Sequence, residues 1–308
     1  LIINEKPKES LKGMGWGYYR IYPDMDTART DRQGNDVSPL HPDIVRQEYR
    51  QTGLDYLLVG CEPHTMFTPG SEPNGFKWWW WDNSMMPHLR YVNVANPEGQ
   101  KWWSRLTYMG WSMPKGTTAD QSHRDRINRR LHEQSGGEFK DISDIWGGCV
   151  DTRQIKKKHA LVCASSERNH KEFYNDTRQG WINRVCKELK RQGYTYEIRE
   201  KIGINARKVN QVADQIKKSG CDLLITNHSA TASEGVICGI PVVLTSEWNG
   251  AWEVATPWQD FCKTGNLNYY TKDQINNWVT KICAYTYHRQ ELMNNEWIQV
   301  HPQAEHLR

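Results

Sequence analysis

From residue 158 onward the apolar positions change period in regular alternation. HALVCAS (159–165) is a short continuous apolar run, the pattern of a buried strand. TRQGWINRVCKELKRQG (177–193) sets Trp181, Ile182, Val185 and Leu189 at three- and four-residue steps with charge on the other face, which predicts a helix stopped by Gly193. YTYEIRE (194–200) alternates like a strand, and RKVNQVADQIKKSG (207–220) is a second amphipathic helix ending at Gly220. CDLLITN (221–227) and PVVLTS (241–246) are further apolar runs, with a short helix expected between them over Ala230 to Cys238. TKDQINNWVTKICAYTYH (271–288) predicts a long last helix with Ile275, Trp278, Val279, Ile282 and Tyr285 in register. Strands alternating with helices of this length predict a parallel sheet covered on both faces.

The first half is less periodic. LDYLLVGCEPH (54–64) reads as a strand running into a loop, and YVNVANPEGQKWWSRLTYMGW (91–111) as strand, turn and helix. A smaller α/β domain with long insertions is expected over 1–152, a Rossmann-like domain over 153–290, and a tail over 291–308 that packs back on the first domain. A chain of 308 residues is long enough for two such cores.

Composition narrows the classes. A net charge of +4 permits a phosphate-bearing partner without demanding one. The 8 cysteines sit singly, with no C-x-x-C pair, several inside apolar runs, so free thiols in a reducing cytoplasm are expected. No run of 18 apolar residues predicts a membrane span. The opening LIINEKPKES lacks a basic region followed by an apolar stretch, so it does not read as a signal peptide.

Between the runs at 221–227 and 241–246 lies a knot of small hydroxyl residues around one acid: His228, Ser229, Ala230, Thr231, Ser233 and Glu234. Ligands of parallel α/β sheets bind beyond the carboxyl ends of the strands. A helix starting here would offer unpaired N–H groups to a phosphate, and Glu234, one turn in, would accept from neighbouring hydroxyls such as those of a ribose. The plainer reading is that Ser229 caps the helix and Glu234 is a solvated first-turn acid.

SATASEGVICGIPVVLT (229–245) resembles the donor-binding segment of GT-B glycosyltransferases, with the clearest match over 226–245 and a general one over 158–290. The resemblance implies two Rossmann-like domains with parallel sheets facing across a cleft. It implies that Glu234 holds the donor ribose, that Ser229, Ala230 and Thr231 face the diphosphate, and that Gly239 and Pro241 make the turn into the next strand. Thr226 stands where a subgroup with paired glutamates carries its second acid, so that signature is incomplete and the stereochemical outcome stays open. The segment SSERNHKEFY (165–174) corresponds to the loop beside the donor phosphates, which suggests Ser165, Arg168 and Lys171 as donors to a leaving diphosphate; a solvated polar loop is the alternative. The chain is also similar, in general pattern, to bacteriophage-encoded DNA-modifying glycosyltransferases.

The reaction so implied moves a sugar from a nucleoside diphosphate sugar, a UDP-sugar first, to a hydroxyl, with no metal or other cofactor required. The sequence shows no His/Cys cluster at metal-ligand spacing, and DMD (24–26) does not follow a hydrophobic strand end. A base is expected from the first domain. His64, after the run 54–60 and beside Glu62, is the first candidate, and Asp26 the second. Gly13, Gly15 and Gly17 lack a clear preceding strand, so they are weak evidence for a nucleotide site.

Basic residues in SHRDRINRRLH (122–132) and aromatics in KWWWWD (77–82) suggest double-stranded DNA bearing hydroxymethylated bases as acceptor, with Arg124 on phosphate and Trp79 and Trp80 stacking on bases. Charged helix faces are usually solvated and tryptophans usually pack in cores. Surface polysaccharide or lipopolysaccharide transfer, a nucleotide-sugar epimerase and a non-catalytic nucleotide-binding module are the alternatives.

Overall fold

The computed structural model describes residues 2–3, 29–30, 36–37, 56–59, 77–83, 85–86, 103–108, 113–199, 211–288, 291–292 and 296–305. In chain order the strands are β1 (Ile2–Ile3), β2 (Arg29–Thr30), β3 (Asp36–Val37), β4 (Tyr56–Val59), β5 (Trp78–Asn83), β6 (Trp103–Tyr108), β7 (His159–Cys163), β8 (Thr195–Ile198), β9 (Leu223–Thr226), β10 (Val242–Leu244), β11 (Thr256–Pro257) and β12 (Thr286–His288). The helices are α1 (Gln121–Gln134), α2 (Glu167–Tyr174), α3 (Arg178–Arg191), α4 (Gln211–Ser219), α5 (Thr231–Ile237), α6 (Trp258–Thr264), α7 (Lys272–Cys283) and α8 (Trp297–Val300).

The chain divides into two units, Leu1–Asn83 with Trp103–Trp111 and Tyr287–Arg308, and Ser84–Trp102 with Ser112–Thr286. The division does not fall at 152. Residues 112–152, expected in the first domain, group with the second, because α1 packs on α7. Residues 287–308 group with the first unit.

The second unit holds a five-stranded sheet in the order β11-β10-β9-β7-β8, parallel at every pairing. Ala160, Val162, Leu223, Ile225 and Val243 belong to one buried cluster with Trp181, Ile182, Val185 and Leu189 of α3 and Phe261 of α6. Burying each large aliphatic side chain stabilises the fold by about 1.5–3 kcal/mol. The ends of α3 follow from its flanking residues. The Thr177 hydroxyl accepts the Gly180 N–H at 2.9 Å, and Gly193, at φ 78°, takes the left-handed turn beyond the last residue. A reciprocal box between Thr271 and Gln274 starts α7.

The other sheet runs β1-β4-β5-β6-β12. It is mixed rather than parallel: β1, β4 and β5 run together, but β6 is antiparallel to β5. A second all-parallel Rossmann sheet is therefore not what this unit contains. Residues 103–108, expected within a helix, form strand β6 instead, because Trp103 and Leu106 serve a sheet core and the helical period is absent from 103–108. Among the described residues of this unit, Trp79, Leu106, Tyr287, Leu292, Trp297 and Ala304 form a buried core cluster. The helix expected over 271–288 stops at Cys283, and Thr286–His288 becomes β12.

Among the described cysteines Cys149, Cys163, Cys186, Cys221, Cys238, Cys262 and Cys283 are free thiols, mostly buried; Cys61 lies outside the described residues. No described helix is long and apolar enough to cross a membrane.

Candidate functional site

The carboxyl ends of β7, β9 and β10 carry loops that are tied to one another. Thr226 Oγ1 donates to the Cys163 carbonyl at 2.5 Å, and the Thr245 N–H to the Thr226 carbonyl at 3.1 Å. Ser165 Oγ donates to Asn227 Oδ1 at 2.6 Å, and Asn227 Nδ2 lies 3.4 Å from Nε2 of the buried His170. From the third loop, Asn249 Nδ2 donates to the carbonyls of Asn227 and Ser229 at 2.9 and 3.0 Å. Trp181 of α3 anchors the same loop through Nε1 to Thr245 Oγ1 at 2.9 Å. Buried amides and hydroxyls with such partners hold a surface rigidly.

On this edge opens a cavity of about 390 Å³, lined by Tyr174, Thr245, Ser246, Glu247, Trp248, Trp252 and Gln259. That volume suits a small molecule, within about 300–1,000 Å³. Tyr174 closes α2, and its ring lies nearly parallel to that of Trp248, 22° apart with centroids 6.4 Å apart. Two hydroxyls, a carboxylate and a carboxamide stand among aromatic faces, a lining suited to a planar base with a hydroxylated sugar. Glu247 is the carboxylate of the lining; Lys115 approaches it at 3.8 Å, with both side chains well exposed.

The acid of the hydroxyl knot, Glu234, is held inside the fold. Glu234 is 0 % exposed, and its Oε1 accepts the N–H groups of Val212 and Ala213 at 3.0 and 2.9 Å. It caps the start of α4, so neither a ribose contact nor a solvated acid describes it. Ala230, not Ser229, occupies the cap position of α5, and its methyl side chain makes no cap bond. The first N–H groups of α5 already have acceptors: Thr231 N donates weakly to Ser229 Oγ at 3.4 Å, and Ala232 N and Ser233 N to the Ser229 and Ala230 carbonyls at 3.2 Å. Amides so engaged are poorly placed to receive a diphosphate. Gly239 makes the turn into β10 at φ 72°, and a Cβ there would meet Asp151 O at 2.7 Å, so the position requires glycine.

The remaining candidates separate. Ser165 is buried and donates inward to Asn227. His228, Ser229, Ala230 and Thr231 are half-buried on the loop after β9, and Lys171 is exposed on α2. Arg168 lies in α2 with its side chain outside the described residues, as are His64 and Asp26 altogether. The residues assigned to DNA are core residues. Trp79 is 0 % exposed, with rings of Tyr108, Trp297 and His301 within 4.7–5.0 Å, and Trp80 is 3 % exposed with the Arg105 guanidinium over its ring. Arg124 is 8 % exposed and forks onto Asp141 with bonds of 2.8 and 2.7 Å, while also donating to Asn276 and Thr280 of α7. With its guanidinium occupied by Asp141, Asn276 and Thr280, Arg124 is not offered to a phosphate.

Tyr174, Trp248, Trp252 and Gln259 of the cavity carry no motif that marks them in the sequence. The available signal is SEWNGAWEV (246–254), an aromatic-rich loop directly after a buried strand.

No family model matches the chain, and no curated protein matches it. Among solved structures, Thermosulfurimonas dismutans KpsC, beta Kdo 2,7 transferase, is similar with a TM-score of 0.50 and 10 % identity, over 96 % of this chain and 97 % of that one. Thermosulfurimonas dismutans KpsC, beta Kdo 2,4 transferase, is similar with a TM-score of 0.41 and 11 % identity, over 78 % of this chain and 85 % of that one. The first likeness is one of α/β fold across nearly the whole of both chains.

Proposed function

We propose that this chain is a glycosyltransferase that holds a nucleotide-activated sugar in the cavity at the carboxyl edge of its parallel sheet. Its acceptor is a sugar hydroxyl of a surface polysaccharide or lipopolysaccharide, and Kdo, the sugar named for its structural relative, is the first candidate for transfer. The observation that carries the reading is the aromatic and polar cavity walled by Tyr174, Thr245 and Trp248, at the sheet edge where parallel α/β folds bind ligands. The near-full-length likeness to a Kdo transferase fold supports it. DNA is not carried forward, because Trp79, Trp80 and Arg124 are internal. Nothing in the lining selects uridine over other bases.

In this reading the Tyr174 and Trp248 faces take the base, and Thr245, Ser246 and Glu247 meet hydroxyls of the donor. Lys171 lies three residues before Tyr174 on α2, which puts the two on neighbouring positions of the helix surface. Its ammonium offsets charge that grows on the departing phosphate. His228, Ser229 and Thr231 flank the same edge and supply further donors. The acceptor oxygen attacks the anomeric carbon, and the bond from that carbon to the phosphate oxygen breaks. The nucleotide leaves with the electron pair, and the acceptor proton passes to a base, for which His64 and Asp26 remain the candidates.

Trp248 and Trp252 supply the readout. Titrating CMP, UDP and GDP into the protein is expected to give saturable fluorescence quenching with one of them, lost in Trp248→Ala. Nucleotide release from CMP-Kdo or a UDP-sugar is expected only with an oligosaccharide acceptor present. No quenching by any nucleotide and no release from any donor would overturn the assignment.

A further inference from the structure

At the opposite, amino edge of the parallel sheet, three residues far apart in sequence converge. His159 opens β7, Glu197 lies in the neighbouring β8, and Cys221 immediately precedes the β9 segment. One imidazole nitrogen, one carboxylate oxygen and the Cys221 sulfur all lie within 4.8 Å of one another. Sequence spacing gave no sign of this, because each comes from a different crossover of the sheet.

We infer that His159, Glu197 and Cys221 form a binding site for a divalent cation of borderline softness, of the Zn²⁺ class. Three features argue for it besides proximity. The donor set of sulfur, nitrogen and oxygen matches zinc and not calcium or magnesium, which take oxygen ligands. Each candidate ligand has an outer hydrogen bond of the kind that orients a metal ligand. Thr195 Oγ1 meets His159 Nδ1 at 2.8 Å, Gln215 Nε2 donates to Glu197 Oε1, and Ser219 Oγ lies 3.0 Å from Cys221 Sγ, its one proton shared between that sulfur and the Gln215 carbonyl at 2.8 Å. Two of these partners, Gln215 and Ser219, stand one turn apart on α4, so a single helix face supports two of the ligands.

The third feature is access. Cys221 is buried, whereas His159 and Glu197 are half-buried, which leaves an approach from solvent. Asp222, next in sequence, is not a fourth ligand. Its carboxylate accepts the N–H groups of Lys156, Lys157 and His159 at 2.6, 2.6 and 3.0 Å. Water completes the coordination, and the Cys221 thiol releases its proton to solvent as the cation enters. Occupied, the site clips the start of β7 and the segment before β9 to the body of β8.

Cobalt titration of chelator-treated protein tests this without any nucleotide, so its outcome is separate from that of the transferase assignment. Co²⁺ is expected to bind one to one, with a near-ultraviolet sulfur-to-cobalt charge-transfer band and visible bands of a four-coordinate ion, both displaced by Zn²⁺. Cys221→Ser is expected to abolish the charge-transfer band with far-ultraviolet dichroism unchanged. His159→Ala, at a partly exposed position, is expected to weaken binding at least about tenfold. Cys262→Ser serves as the control and keeps the band. Absence of the band in the parent protein, or a band that survives both Cys221→Ser and His159→Ala, would overturn the site.

Discussion

Ser165 and Asn227 join the loops after two adjacent parallel strands through a hydroxyl-to-amide bond of 2.6 Å, both side chains being buried. The same amide lies beside His170, and Asn249 donates to the Asn227 carbonyl. Asn227→Ala removes the acceptor of Ser165 and leaves a polar hole at the sheet edge. It is expected to cost about 1–3 kcal/mol. Urea unfolding should show a lower midpoint at unchanged slope; an unchanged midpoint would mean that the loops are held by backbone bonds alone.

Glu234 separates a structural from a ligand-binding role cleanly. Because its carboxylate accepts two backbone N–H groups at the start of α4, Glu234→Ala strands both donors in a buried place. A loss of about 1–3 kcal/mol in stability is expected, with nucleotide affinity of the folded protein unchanged. A large loss of affinity at unchanged stability would restore the ribose assignment.

Arg124 and Asp141 make a forked pair that also holds α1 against α7. Arg124→Met leaves a carboxylate without its cation and is expected to destabilise by about 3–5 kcal/mol. Burial alone would favour the neutral form of Asp141, but the Arg124 fork and the Ser143 N–H and hydroxyl outweigh it and hold the carboxyl well below its usual range. A carboxyl lowered in the folded state stabilises above its unfolded value of about 3.9 and loses that contribution as pH falls through the folded value. The fold is thus expected to weaken on acidification below about pH 4, and Asp141→Asn to remove that part of the dependence in thermal melts.

His170 gives a second pH dependence at milder acidity. Burial holds its imidazole below the ordinary value, against Asp176 and Glu167, which pull the other way, and with Arg178 and Arg184 adding to the lowering. Its stabilising effect is complete above the unfolded value of about 6.5 and is lost as pH falls through the lower folded value. Denaturation midpoints taken at decreasing pH should therefore decline, and His170→Gln should flatten the decline. Parallel curves for the two proteins would remove His170 as the cause.

The sequence disclosed the parallel sheet because its strands are short apolar runs and α3 and α7 carry their buried residues at helical steps. It disclosed the first unit poorly. There the tryptophans of β5 look like a surface cluster until β6, β12 and α8 are known to enclose Trp79. The carboxyl edge of the sheet, where parallel α/β folds bind ligands, was legible from topology, since strand direction follows from alternating elements. Which side chains line it was not. Glu234 looks like a site residue from its place among small hydroxyl residues and Arg124 from its basic run, and only their partners, Val212 with Ala213 and Asp141, show both to be tied inside the fold.

The first unit takes in Leu1–Asn83, Trp103–Trp111 and Tyr287–Arg308, so its sheet ends on β12, made from the last part of the chain. During synthesis on the ribosome, therefore, Trp79 emerges long before the Tyr287 and Trp297 that close over it. The parallel sheet meanwhile already has all five of its strands by Pro257.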